Sequence, residues 1–289
     1  MNKPDFAVSE FTSWHLSFEE DIELYLELAV DAIEICERKL SKDFELARAQ
    51  LNQAKENKLR VSSIQPRVHA LFPDSMTRDI ADPVRRMAEY KKSIDLFSEF
   101  FPDTPMVTIS GNAPDYNYRY AYQTALELYS ELADYAAAKN MRIMFEPLNP
   151  ILMNNDSFVC SLDDALELIQ TINRKNFGLM LDVWHIWHEP DIYERIASLN
   201  GLIMGVHISD WPAQKPRAVA DRLIPGEGVI NLAKLFSAIQ KSGYQGAYCL
   251  EIFSADYLPD SLWKIDPKEL IEKSKNGFYK AWRQSNVEP

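Results

Sequence analysis

Eight short apolar runs, each followed by a longer amphipathic stretch, punctuate the chain from end to end. The runs lie near 5–11, 31–36, 60–65, 105–111, 141–146, 177–183, 202–208 and 246–253. The stretches between them include "SFEEDIELYLELA", "DFELARAQLNQAKE", "DPVRRMAEYKKSIDLFSEFF", "YNYRYAYQTALELYSELADYAAAK" and "NLAKLFSAIQKSG", and the last is "DPKELIEKSKNGFYKAW". Their apolar residues recur at helical spacing. Ser17 with Glu20, and Ser161 with Asp164, are cap signals at helix starts, and Gly243 stands where a helix should stop.

Strands alternating with helices imply parallel β/α units, because a parallel neighbour is reached through a crossover. No Gly/Ser linker, low-complexity tract or change of composition divides residues 1–289, so a single domain is expected. The simplest closure is an α/β fold of the (β/α)8 TIM barrel type. A doubly wound open sheet is the rival; it would carry a Gly-rich first turn, and "VSEFTSWHLS" has none.

Totals narrow the function. Acidic residues number 43 against 31 basic, a net charge of −12, which disfavours a nucleic-acid partner and fits a small ligand. The start "MNKPDFAVSEF" lacks a signal-peptide core, and no apolar run reaches the ~18 residues of a membrane span. Cys36, Cys160 and Cys249 are odd in number and far apart, which reads as reduced, buried thiols in a cytoplasmic protein.

A barrel places its chemistry at the C-terminal ends of its strands. Four consecutive runs finish there on a metal-type ligand: "RIMFE" at Glu146, "GLMLD" at Asp182, "IMGVH" at His207 and "AYCLE" at Glu251. Any one alone reads as a turn former, a cap or a satisfied loop residue; four in a row do not. Alternation strengthens the point. Stepping back by two gives Met144, Met180, Gly205 and Cys249, then Arg142, Gly178, Ile203 and Ala247. The opposite parity holds Ile143, Phe145, Leu179, Leu181, Met204, Val206, Tyr248 and Leu250, a bulky set suited to packing under helices. The four ligands are therefore expected to point inward and converge, where clustered carboxylates need a cation. Three carboxylates and an imidazole make a hard site for one divalent ion, Mn²⁺ or Mg²⁺ in preference to Co²⁺ or Zn²⁺.

At these residues the chain resembles the xylose isomerase-like TIM barrels, a superfamily of sugar isomerases and epimerases that also contains AP endonuclease. The matching pieces are "FEPLN", "GLMLDVWH", "HISDWP", "DRLIPGEGVINL" and "YCLEIF", and they are similar above all to inosose isomerase-like proteins and ketose 3-epimerases. The resemblance implies one divalent metal on Glu146, Asp182, His207 and Glu251, with His185 and Arg222 touching a sugar or cyclitol substrate. A trinuclear endonuclease is disfavoured: "SSIQPRVHALF" and "VTISGNAPD" offer only His69, and Leu223 stands where the repair enzyme's Asp-x-His has histidine. "LAVDAIEI" also lacks the glycine common before the second strand.

The chemistry so implied begins with removal of a proton beside a carbonyl, with Glu146 and Glu251 as the acid/base pair. Isomerase or epimerase is the leading reading; a lyase dehydrating a keto-cyclitol or dehydroshikimate-like acid is the alternative, and a non-catalytic sugar-binding barrel is a third. Asp210 is expected either to orient the far nitrogen of His207 or to cap a loop. His69, His15 and Trp14 follow strands and are candidate substrate contacts; Glu34 is expected at the mouth or paired with a basic residue. "PGEGV" has the look of a phosphate loop, but Glu227 in its middle favours a non-phosphorylated substrate. Barrels of this kind commonly self-associate, and the long tyrosine-bearing helix is a candidate surface for a homo-oligomer.

Overall fold

The computed structural model describes residues 3–217 and 221–285. Among them, β1 (Phe6–Ser9), β2 (Ala32–Cys36), β3 (Val61–Gln65), β4 (Pro105–Thr108), β5 (Arg142–Phe145), β6 (Phe177–Asp182), β7 (Ile203–Ile208) and β8 (Tyr248–Leu250) form a closed parallel barrel in sequence order, β8 pairing with β1. Every expected apolar run contains one of these strands, and the open-sheet rival is excluded by the closure. The principal helices are α1 (Phe18–Glu27), α2 (Phe44–Glu56), α3 (Pro83–Ser98), α4 (Tyr118–Ala138), α5 (Leu162–Ile172), α6 (Val183–Ile186), α7 (Ile192–Ala197), α8 (Leu232–Lys241) and α9 (Pro267–Ser285).

Local chemistry sets the element ends. Ser17 accepts from the Glu20 amide while the Glu20 carboxylate accepts from the Ser17 amide, closing the capping box that starts α1. Ser161 caps α5 through the Asp164 amide. Gly243, at φ +84°, turns the chain out of α8. Within "LAVDAIEI", Ala29 takes φ +48° ahead of β2, a left-handed conformation that disfavours a Cβ.

Outward residues such as Ile143, Phe145, Leu179, Leu181, Val206 and Leu250 join the main core beneath the helices. The barrel interior divides in two. Ala7, Ala32, Ala247 and Cys249 fill one arc, and Val107, Met144 and Met180 fill the other, with Met204 packed on them. Gly205 makes room for the methionines: a Cβ there would lie 2.6 Å from Met180 Sδ and 2.7 Å from Met144 Sδ.

The alternation fails at one place. Ile203 belongs to the outer core and Met204 turns inward, the reverse of the expected parity. The cause is a register shift: Leu179 pairs with Ile203 but Met180 pairs with Gly205, so the count back from His207 slips by one at the bulge. No helix among the described residues is long and apolar enough to cross a membrane. All three cysteines are buried and free.

Candidate active site

The strand ends deliver the four expected ligands to one point. Glu146 follows β5, Asp182 ends β6, His207 is the penultimate residue of β7 and Glu251 follows β8. All are buried, and one ligand atom from each lies within 4.8 Å of the others. Glu146 Oε1 and His207 Nδ1 are buried without a hydrogen-bond partner. His207 Nδ1 sits 3.2 Å from Glu251 Oε2 and 3.6 Å from Glu146 Oε1. Two orphaned polar atoms inside a ring of acids is the arrangement a divalent cation would satisfy, so the donor set fits a metal.

The electrostatics are those of crowded acids. Burial raises the Glu146 carboxyl, His207 pulls it back, and Glu251 and Asp182 push it up again, leaving it at about 7. Burial opposes the Asp182 charge too, but Arg222, His185 and His207 outweigh it and hold it at about 2. Burial alone would make His207 a weak base; the carboxylates of Glu251 and Glu34 overcome that and raise it well above its ordinary value.

His185, in the short helix α6 that follows β6, lies against the same group. Burial drives its imidazole down to about 3, so the ring is neutral. The Asn149 amide donates to its Nδ1 at 3.0 Å, which places the ring proton on Nε2. That nitrogen faces Asp182 at 3.5 Å and Glu146 at 3.7 Å. Arg222 meets the same carboxylate: its Nη1 donates to Asp182 Oδ2 at 2.7 Å and lies 3.1 Å from Glu251 Oε2, and its Nη2 lies 3.4 Å from His185 Nε2. Its guanidinium lies within reach of both the Trp184 and Phe253 rings, at 5.1 and 5.3 Å. Arg222 therefore braces two of the ligand carboxylates as well as lining the cavity.

That cavity, about 270 Å³, opens above the ring. His69 lines it, as expected, with Asp74 and Asp156 nearby; Phe11, Phe253 and Trp263 form an aromatic wall. Trp14 does not line it. It stacks on the two rings that do, Phe11 and Trp263, because its own face is taken up in that packing. His15 is exposed and bonded to Asp256.

Asp210 takes the second of its two expected roles, the loop cap. It does not hold His207. Its carboxylate accepts from the amides of Trp211, Gly226 and Ile230, pinning the loop that carries Arg222. Gly228 is pressed so close that a Cβ would lie 2.3 Å from Asp210 Oδ1. The His207 partner is Glu34 of β2, at 2.9 and 3.1 Å from Nε2. Glu34 was legible as an inward residue; its pairing across the barrel was not. Gln65 and Trp263 carried no motif that marks them, and Asn149 closes the "FEPLN" piece without a role read from it.

Comparison with known proteins finds relatives of the whole barrel. An inosose isomerase of Bacillus subtilis (strain 168) is 25% identical over 156 residues, covering 53% of each chain. The chain thus aligns with about half the length of the inosose isomerases it matches. L-ribulose-5-phosphate 3-epimerase UlaE of Salmonella paratyphi A is 25% identical over 239 residues, 80% of this chain and 78% of that one. A crystal structure of IOLI protein with a binding zinc atom superposes with a TM-score of 0.76 at 20% identity, covering 98% of this chain and 100% of that one. The family description "xylose isomerase-like TIM barrel" matches residues 22–281, and the chain belongs to that family.

Proposed function

We propose that the protein is a metal-dependent isomerase or epimerase of a small, non-phosphorylated sugar or cyclitol. The observation that carries the reading is the convergence of Glu146, Asp182, His207 and Glu251 with unsatisfied atoms aimed among them. The names of the relatives, inosose isomerase and L-ribulose-5-phosphate 3-epimerase, support the reaction class, and the zinc atom in IOLI protein supports a divalent ion. When bound, such an ion would draw charge from a substrate carbonyl and its neighbouring hydroxyl.

The chain's own groups supply the proton transfers. Glu146 and Glu251 stand three strands apart on the ring, so each addresses a carbon from a different side. Glu146, buried at the end of β5 and lining the cavity, is placed to take and return a proton at a substrate carbon. His185 offers its Nε2 proton to a substrate oxygen, and Arg222 holds Asp182 ionised. Phe11, Phe253 and Trp263 exclude water and cover an apolar sugar face.

The non-phosphorylated substrate rests on Asp210. The loop amides that would grip a phosphate, at Gly226 and Ile230, already donate to its carboxylate. Incubation with an inosose or a free ketose in D₂O, with the Mn²⁺-loaded protein, tests the reading by NMR. Exchange beside the carbonyl with an isomer of unchanged composition is expected. Loss of water would make the protein a lyase, and absence of exchange in every such substrate contradicts the reading.

A further inference from the structure

The four convergent ligands all come from the β5–β8 arc. The opposite arc contributes Glu34 from β2 and Gln65 from β3. Glu34 is completely buried, and among the described residues its ionic partner is His207 alone. Ser63 Oγ donates to Glu34 Oε2 at 2.6 Å. Gln65 Nε2 spans Glu34 Oε1 at 3.4 Å and Glu251 Oε1 at 3.3 Å. One carboxylate thus holds one ligand directly and a second through a single amide.

We propose that Glu34, backed by Ser63 and Gln65, is a positioning residue for the metal: it takes the His207 Nε2 proton and so reserves Nδ1 for the ion. The inference rests on the metal reading of the site. A carboxylate on the far side of a ligating imidazole fixes the ring's rotation and tautomer and makes the metal-facing nitrogen a better donor. Glu34 has a second consequence, set by its neighbours. Glu34, His207 and Cys249 form another group of potential ligands on the Nε2 side of the ring. With Nε2 protonated and bonded to Glu34, that nitrogen has no lone pair for a metal, and the ion is directed to the carboxylate side.

The test is titration of the metal-free protein with Co²⁺, read by absorption spectroscopy and by competition with a chelator, for the native chain and for Glu34→Gln. The variant keeps the side-chain shape and loses the charge. The expected result is roughly 10- to 100-fold weaker Co²⁺ binding with an altered ligand-field spectrum, while circular dichroism and thermal melting stay near native. Native affinity and an unchanged spectrum in Glu34→Gln overturn the inference and leave the metal site standing. An intense thiolate-to-cobalt band in the native protein also overturns it, since the ion would then sit by Cys249. If the native chain binds no Co²⁺, the metal reading falls and takes this inference with it. Should Glu34→Gln fail to fold, Gln65→Met carries the test: a several-fold loss of affinity is expected, and none overturns the proposal.

Discussion

Glu146, Asp182, His207 and Glu251 each have an ordinary alternative role, and only their shared position at strand ends distinguishes them. Glu251→Gln removes one base while keeping the shape of the ring. Turnover is expected to fall by about 10²- to 10⁴-fold, with circular dichroism unchanged; near-native turnover contradicts its assignment. His185 gives a separate prediction in pH. Its folded pKa of about 3 lies below an unfolded value of about 6.5. The unfolded chain therefore takes up this proton first as pH falls. Stability from His185 is fully present above about pH 6.5 and declines toward pH 3, by at most ~1.4 kcal/mol per unit. His207 has the opposite sign: its raised pKa contributes stability at low pH that is lost as pH rises through the folded value. In chelator-treated protein, His185→Gln should flatten the urea-derived stability curve between pH 6.5 and 5; an unchanged slope contradicts the neutral, buried assignment.

At the scale of elements, the β7 strand and the loop after it show what one sequence can and cannot disclose. The strand's existence and the place of His207 at its end were legible, because the apolar run falls in the alternation of strands and helices and ends on a polar residue as its neighbours do. Its register was not. The bulge that exchanges Ile203 and Met204 depends on how β7 meets β6, and pairing is a property of two strands. The choice between the two roles of Asp210 was illegible for a similar reason: it lies three residues after His207, yet the chain has turned away and the carboxylate meets the returning loop. Glu34 is distant in sequence and adjacent in space, a relation that only barrel closure creates. Asp210→Asn leaves one carbonyl for the Oδ1 partners and sets an NH₂ against the Gly226 amide. A loss of about 1–3 kcal/mol is expected, with faster hydrogen exchange in residues 222–230. Unchanged exchange there would show that the loop is held without this pin.

For the whole molecule, the fold and the site are one consequence of the same pattern. Eight apolar runs close into a barrel, and closure brings residues from 146 to 251 to one end of it. The fold and the convergence of the four strand-end side chains were legible because period, spacing and strand ends all point the same way. The mouth was less so, since its aromatic wall comes from loops whose shape no periodicity records: Phe11 and Trp263 line the cavity while Trp14 packs behind them. The central claim is that this end of the barrel is a metal centre. It is tested most directly by elemental analysis of the protein after reconstitution with Mn²⁺ and removal of the excess. The account predicts about one ion per chain, abolished or sharply reduced in an Asp182→Ala variant that remains folded. A metal content near zero in the reconstituted native protein would contradict it.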